Sequence, residues 1–308
     1  MFSFYFSQRF ISLVRTTRPD HPRAIMHCEF DTTNRRQLKA RPRPHSEDKA
    51  PTPWHALDCC YSYSTTASNS DVFRMFEPIS QEMKFAQGRV ICVEADGFSK
   101  SGKSYTIENL LLKVSANLFS GSSVNTDITF EAFQSSGTDV NSFEFPHNKD
   151  TPSVDKIENK FLRKLNSIIP PSRPCYKVTT LEAFQLLLEK THEFRKSSPT
   201  NNNTTSSRTH LVILIYAKRQ AATRTNMSLL CLFNIAGNKR NNAVTDIEGD
   251  EKKRLQQTAV INSSRMNIHA ALKAALLRKP LVTRNTAVSS TFYHLVFLSL
   301  RSRRSARF

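Results

Sequence analysis

Short apolar runs alternate with longer helical patterns through the middle and end of this chain. The strand-like runs lie at residues 90–94, 127–133, 210–216 and 229–233. The helical patterns lie at residues 154–169, 181–196 and 261–277. The runs 210–216 and 229–233 are continuously apolar, which is typical of strands buried on both faces. The alternation predicts an α/β fold with a mostly parallel central sheet, helices on both faces and ligands at the carboxyl ends of the strands.

The helical pattern at residues 181–196 has a start signal of its own. Thr179 and Glu182 have the spacing of a capping box, in which a hydroxyl and a carboxylate satisfy the first free backbone N–H groups. Phe184, Leu187 and Leu188 follow at the i, i+3, i+4 spacing of one helical face. The segment is therefore predicted to be an amphipathic helix that packs on the sheet.

An octapeptide directly after the first strand-like run carries the clearest chemistry. It reads G-F-S-K-S-G-K-S and fits the phosphate-binding pattern G-x-x-x-x-G-K-[ST]. Its residues are Gly97, Phe98, Ser99, Lys100, Ser101, Gly102, Lys103 and Ser104. A strand that leads through glycines into a helix aims backbone N–H groups at one anionic ligand, so the pattern predicts binding of a nucleoside triphosphate. The alternative is a serine-rich surface turn with a chance lysine.

Two later segments extend this pattern in the same order. Residues 195–210 read R-K-S-S-P-T-N-N-N-T-T-S-S-R-T-H, and residues 229–240 read L-L-C-L-F-N-I-A-G-N-K-R. With the octapeptide, they resemble the kinesin motor family, whose switch segments run N-R-x-x-x-x-T-x-x-N-x-x-S-S-R-S-H and D-L-A-G-S-E-R. The residues in register with the first switch are Arg195, Thr200, Asn203, Ser206, Ser207, Arg208 and His210.

The resemblance implies a three-layer P-loop NTPase of the kinesin-motor type over residues 66–300, with ATP and Mg²⁺ as cofactors. By resemblance, Lys103 binds the outer phosphates, and the hydroxyls of Ser104 and Ser207 are Mg²⁺ ligands. Ser206 positions the attacking water, Arg208 pairs with a glutamate of the second switch, and Gly237 senses the γ-phosphate. Tyr105 and Asn203 complete the set of residues that the resemblance assigns to nucleotide binding.

The second switch departs from the family at two positions. Lys239 stands where the family has the glutamate that pairs with Arg208, and two cations about 4 Å apart repel by about 4 kcal/mol at an effective dielectric near 20. Asn234 stands at the aspartate position and is a weaker partner for a hard cation. The resemblance implies a microtubule-stimulated ATPase, whereas these departures predict impaired hydrolysis. A non-hydrolysing microtubule-binding pseudo-motor, a decayed or truncated gene product and a myosin-like motor stay open as alternatives.

The charge of the chain is concentrated near its end. The formal net charge is +18, and no Asp or Glu follows Glu251 while twelve Lys and Arg residues do. In the kinesin family this stretch faces the acidic surface of microtubules, so tubulin is the expected partner. A nucleic acid is the less favoured polyanion, because no nucleic-acid fold signature accompanies the charge. Residues 301–308 are expected to be a basic tail.

The first 65 residues are basic and rich in Pro, Arg, Ser and Thr, which predicts a largely disordered extension. An organelle-targeting sequence is an alternative for the first nineteen residues, which hold arginines and no acid. The chain has no apolar run long enough to span a bilayer and no heptad stretch for a coiled coil, so its oligomeric state stays open. We expect a cytoplasmic, cytoskeletal protein.

Overall fold

The computed structural model describes residues 13–15, 26–30, 37–42, 55–58, 61–63, 68–88, 90–95, 102–121, 126–136, 139–145, 174–197, 209–220, 225–237 and 251–276. The chain divides into two compact units, one comprising Ser7–Phe76 and the other Glu77–Phe308 with Met1–Phe6. The helices are α1 (Asn69–Lys84), α2 (Lys103–Phe119), α3 (Leu181–Ser197) and α4 (Glu251–Leu276).

The smaller unit contains five short strands. Strand β1 (Leu13–Arg15) pairs in parallel with β5 (Tyr61–Tyr63), while β2 (Met26–Phe30), β3 (Gln37–Pro42) and β4 (His55–Asp58) form an antiparallel sheet in that order. These strands differ from the largely disordered extension expected for residues 1–65. The apolar and polar residues of these strands alternate only weakly. Such sequences can still form strands, because strand formation depends on pairing with neighbouring strands more than on local pattern. The domain boundaries at residues 65 and 300 stay a prediction.

The larger unit is built on a six-stranded sheet in the order β6-β11-β10-β7-β8, with β9 also paired to β7. These strands are β6 (Val90–Ala95), β7 (Thr126–Ser136), β8 (Asp139–Ser142), β9 (Tyr176–Val178), β10 (His210–Gln220) and β11 (Thr225–Asn234). Each of the four predicted strand runs lies inside β6, β7, β10 or β11. The seven residues Leu211–Ala217 in the centre of β10 are all buried, so the prediction of burial on both faces is confirmed.

The direction of the strands differs from the prediction. Of the pairs in this sheet, β6 and β11 run parallel, whereas β10 with β11, β10 with β7, β7 with β8 and β7 with β9 run antiparallel. The sheet is therefore mixed, and its expected mostly parallel character is wrong for the residues described. The reason is the length of the links, because the four residues between β10 and β11 are too few for a crossover connection.

The helices agree with the predictions where the two can be compared. Helix α3 matches the pattern at 181–196, and α4 covers residues 261–276 of the pattern at 261–277 but begins ten residues earlier, at Glu251. The helical pattern at 154–169 lies outside the described residues. Within the part of the chain that the structure describes, no helix combines the length and apolarity that crossing a membrane requires.

The core of the larger unit is centred on Phe184 of α3. Its side chain is fully buried and makes an edge-to-face contact with Phe130 of β7, with ring centroids 5.7 Å apart. It also lies 6.2 Å from the ring of Phe119 at the end of α2. One side chain thus contacts both another helix and the sheet near the start of α3.

The N-cap of helix α3 lies one residue later than the predicted one. The hydroxyl of Thr180, not Thr179, accepts a hydrogen bond from the backbone N–H of Ala183 at 3.1 Å, and the carbonyl of Thr180 accepts one from Phe184. Thr180 is therefore the N-cap, so the assignment of Thr179 and Glu182 as a capping box is wrong. Adjacent threonines carry the same local signal, and packing of the Phe184 face selects between them.

We predict that Thr180→Ala lowers the free energy of unfolding by about 1 kcal/mol, because one free N–H at the start of α3 loses its side-chain acceptor. Urea unfolding followed by circular dichroism measures the change. Thr179→Ala is the matched control and is expected to have a smaller effect. Equal losses for the two variants would contradict the assignment of the cap.

Candidate functional site

The phosphate-binding octapeptide is described at its carboxyl end. Strand β6 ends at Ala95, residues Gly97–Ser101 lie outside the described part, and Gly102 precedes the first residue of α2, Lys103. Gly102 has a φ of 85°, a left-handed conformation that side chains disfavour, and its carbonyl accepts from the N–H of Thr106 at 2.9 Å. The strand β6 and the helix α2 thus lie before and after the octapeptide's glycines in the order that the pattern predicts.

The end of β11 lies beside this helix start. Asn234 is in register with Ala95, and the N–H of Ile235 donates to the carbonyl of Ala95 at 3.2 Å. Because β6 and β11 are parallel, their carboxyl ends meet at one edge of the sheet. The buried residues Ile235, Ala236 and Gly237 continue from that edge. Asn238 and Lys239 lie outside the described residues.

Ser104 is the meeting point of three segments. Its Oγ accepts a hydrogen bond from Nδ2 of Asn234 at 3.0 Å and another from Nη1 of Arg195 at 3.2 Å. Nη2 of Arg195 donates to the carbonyl of Asn234 at 3.5 Å and to that of Thr209 at 3.4 Å. The start of α2, the end of α3 and the end of β11 therefore converge on one hydroxyl. We call this group of Ser104, Arg195 and Asn234 the Ser104 junction.

Arg195 brings a cation into the junction that the described residues leave without an ion pair. Burial lowers the pKa of Arg195 to about 10, while Glu108 opposes the shift, so the guanidinium is charged at neutral pH. Its Nε is buried and has no hydrogen-bond acceptor within the part of the chain that the structure describes. Glu108 itself accepts from Nδ1 of His192 at 3.2 Å. An unpaired cation in a partly buried position favours an anionic ligand.

A second layer of contacts supports the junction. Nδ1 of His210 accepts from the N–H of Ala236 at 3.2 Å, which ties β10 to the segment after β11. Thr209 Oγ1 donates to Oε1 of Gln134 at 2.5 Å, and Nε2 of that residue donates to the carbonyl of Phe194 at 3.3 Å. Nothing in the sequence pointed to Gln134 or to Glu108, because neither residue belongs to one of the motif segments. Arg195 was in register with the first switch but had no assigned contact.

The other predicted site residues fall into two groups. Lys103, Tyr105 and Gly237 are described; Tyr105 is 59% exposed and Gly237 is buried. The residues outside the described part are Gly97, Phe98, Ser99, Lys100, Ser101, Asn203, Ser206, Ser207 and Arg208. The roles assigned to both groups therefore stay predictions.

The residues of the Ser104 junction do not fit Mg²⁺ in this arrangement. A serine hydroxyl has two lone pairs and one proton, and both lone pairs of Ser104 are used by N–H donors, one of them cationic. A directly bound metal ion needs one of these lone pairs and would lie beside the guanidinium of Arg195. The expected second ligand, Ser207, lies outside the described residues. The prediction of Ser104 as a metal ligand is thus not supported by its hydrogen bonds.

A protein-family model matches part of this chain. A family model for the kinesin motor domain matches residues 167–285, a stretch that contains α3, β10, β11 and α4. It begins after the octapeptide at 97–104. No curated protein sequence matches this chain.

Solved kinesin structures share the fold over most of the chain. The motor domain of the Kar3-like kinesin from Ashbya gossypii superposes with a TM-score of 0.64 at 16% identity, covering 94% of this chain and 88% of that one. The C-terminal motor and motor homology domain of Kar3Vik1, fused to a synthetic heterodimeric coiled coil, gives 0.66 at 17% identity, covering 93% and 76%. Mutants of a kinesin motor ATPase give 0.62 at 16% identity, covering 94% and 87%.

These likenesses are consistent with the mixed α/β sheet. At 16–17% identity they establish the fold, while the family model establishes the resemblance over its own stretch. The predicted kinesin resemblance and the α/β class of the fold are confirmed: the chain has the fold of a kinesin motor domain, and its residues 167–285 match the model of the kinesin motor family.

Proposed function

We propose that residues 66–300 act as an ATP-binding, microtubule-binding motor domain that works on the cytoskeleton in the cytoplasm. The observation that carries the proposal is the Ser104 junction, where the end of the phosphate-binding octapeptide contacts Arg195 of the first switch and Asn234 of the second. These are the segments that must sense one ligand if a nucleotide is to control the conformation of a motor.

The chemistry at this edge of the sheet suits a polyphosphate. The first backbone N–H groups of α2 have no carbonyl partner within the helix, and they lie at the positive end of its dipole. Lys103 and Arg195 add two side-chain cations. Backbone N–H groups and cations at a helix N-terminus form a binding site for phosphate groups.

The proposed microtubule contact uses α4 and the basic segment that follows it. Twelve positive and no negative residues come after Glu251, which favours attraction to an acidic surface. Helix α4 also exposes large apolar side chains, since Met266 is 71% and Val260 is 42% exposed. Exposed large apolar side chains are typical of a protein interface, and a basic sequence favours an acidic partner.

Hydrolysis by this site is proposed to be slow. Asn234 is neutral, and its Nδ2 donates a hydrogen bond to Ser104. Lys239 stands in place of the acidic residue that the family resemblance assigns as the partner of Arg208. These residues also favour a second candidate function, a microtubule-binding pseudo-motor that holds nucleotide without hydrolysing it.

Microtubule co-sedimentation of the full chain with ATP, with ADP and with a slowly hydrolysed ATP analogue tests the proposal. We expect more chain in the pellet with the analogue than with ADP, because the nucleotide controls the contact with tubulin. Phosphate release from the same mixtures is expected to be slow, and faster in the double variant Asn234→Asp, Lys239→Glu.

Equal pelleting in every nucleotide state would contradict a nucleotide-controlled motor. Rapid phosphate release by the unmodified chain would contradict impaired hydrolysis while leaving the motor function intact. Pelleting with actin instead of microtubules would support the myosin-like alternative.

A further inference from the structure

The hydrogen bonds of Ser104 leave one group free to meet a ligand. Both lone pairs of its Oγ are taken by N–H donors from Asn234 and Arg195, so its own proton remains to be donated. Among the described residues the structure gives this proton no acceptor. A phosphate oxygen accepts such a proton, whereas a metal ion needs a lone pair that is already used.

The charges around Ser104 also favour a phosphate oxygen over a metal ion as its ligand. Lys103 is next to it in the chain, the guanidinium of Arg195 lies 3.2 Å from its Oγ, and Asn234 contributes a neutral amide. The carboxylate of Glu108 raises the pKa of Arg195, but it is in direct contact with His192. A divalent cation brought to Ser104 would lie beside an existing cation without a carboxylate in the junction to offset the repulsion.

Burial of the Arg195 guanidinium without an anionic partner among the described residues is unfavourable, and a bound anion would reduce this cost. Among the described residues the buried Nε of Arg195 has no acceptor, and its Nη groups donate to a hydroxyl and two carbonyls. A buried cation is stabilised when an anion pairs with it, and a guanidinium offers several donors to phosphate oxygens. The end of α3 thus provides a positive charge beside Ser104, where the negative charge of bound phosphates has to be neutralised.

We propose that this site binds the phosphates of a nucleotide without a divalent cation, with the Arg195 guanidinium beside Ser104 in the place of the metal ion. The proposal rests on the proposed nucleotide site and adds how its charge is neutralised. Ser104 donates its proton to a phosphate oxygen, and Asn234 holds Ser104 in that orientation.

The alternative arrangement is that Arg195 moves away when a metal ion enters. The Oδ1 atom of Asn234 is buried without a hydrogen-bond partner in the described segments, and it offers an acceptor for a metal-bound water. An amide oxygen is neutral, however, and binds hard cations more weakly than a carboxylate does. This arrangement requires strong dependence of nucleotide affinity on Mg²⁺, which makes the two distinguishable.

The test is the equilibrium affinity of the full chain for fluorescently labelled ATP, measured by anisotropy with excess Mg²⁺ and with EDTA. We expect the two dissociation constants to agree within about 3-fold, because the cation that neutralises the phosphates belongs to the protein. Binding only in Mg²⁺ would overturn the inference and leave the proposed nucleotide site standing. Absence of binding in both conditions would overturn both.

Three variants sharpen the measurement in EDTA. Arg195→Gln is expected to weaken binding by about 10- to 100-fold, the loss typical of a charge-assisted hydrogen bond, and Arg195→Lys to recover part of it. Arg219→Gln removes an exposed charge at the end of β10 and is the matched control, with no expected change. A loss in Arg195→Gln no greater than in this control would contradict the role of Arg195.

Asn234→Asp introduces a negative charge into the Ser104 junction. Its carboxylate would pair with Arg195 and provide an anionic partner for a metal-bound water, so we expect affinity in Mg²⁺ to exceed affinity in EDTA by at least about 10-fold. Melting curves of all variants without nucleotide show whether each is folded. A folded Asn234→Asp variant without any gain in Mg²⁺ dependence would contradict the proposal.

Discussion

Replacing Lys103 by alanine is expected to weaken ATP binding by about 100-fold, because a charge-assisted contact with the outer phosphates is lost at the first residue of α2. The backbone N–H groups of the helix start remain in the variant, so residual binding is expected. Isothermal titration of the full chain with ATP measures the change directly.

Lys113 provides the matched control for this prediction. It lies on the same helix, ten residues further along and away from the end that meets the sheet edge. Lys113→Ala is expected to bind ATP as the unmodified chain does. A similar loss in both variants would mean that Lys103 acts through general charge or helix stability and not through a phosphate.

The largest effect on stability is expected for Phe184→Ala. The side chain is fully buried and packs between Phe130 and Phe119, so its removal leaves a cavity between α2, α3 and β7. Large-to-small changes of this kind cost about 3–5 kcal/mol, which is a large share of the stability of a typical domain. Urea unfolding followed by circular dichroism is the appropriate measurement.

Leu186 is the control on the same helix, because its side chain is 38% exposed. Leu186→Ala is expected to change the free energy of unfolding by about 0.5 kcal/mol or less. If the two variants were equally stable, α3 would not be packed on the sheet through Phe184, which would contradict this account of the core.

The positions of the central strands could be predicted from the sequence, whereas their directions could not. An unbroken apolar run such as 210–216 reports burial on both faces, and burial does not depend on the direction of the neighbouring strand. The link between β10 and β11 reads A-A-T-R and lacks the Gly, Asn or Asp that usually marks a hairpin. Its shortness was the remaining signal for an antiparallel pair.

The candidate site was predictable in its motifs and not in its contacts. The glycines and Lys103 have fixed spacing because one short loop and one helix start must form the phosphate site. The hydrogen bond between Arg195 and Ser104 joins residues 91 positions apart and depends on how α3 packs on β7. Such a contact follows from tertiary packing, so local pattern did not reveal that the predicted metal ligand is occupied by two donors.

Hydrogen exchange of the full chain with and without ATP tests most directly whether the octapeptide and the second switch segment meet around one nucleotide. We predict that ATP protects the backbone amides at the start of α2, from Lys103 onward, together with those of Ala236 and Gly237 after β11. Protection at neither place, or only at sites remote from this edge of the sheet, would contradict the assignment of a nucleotide-binding motor site.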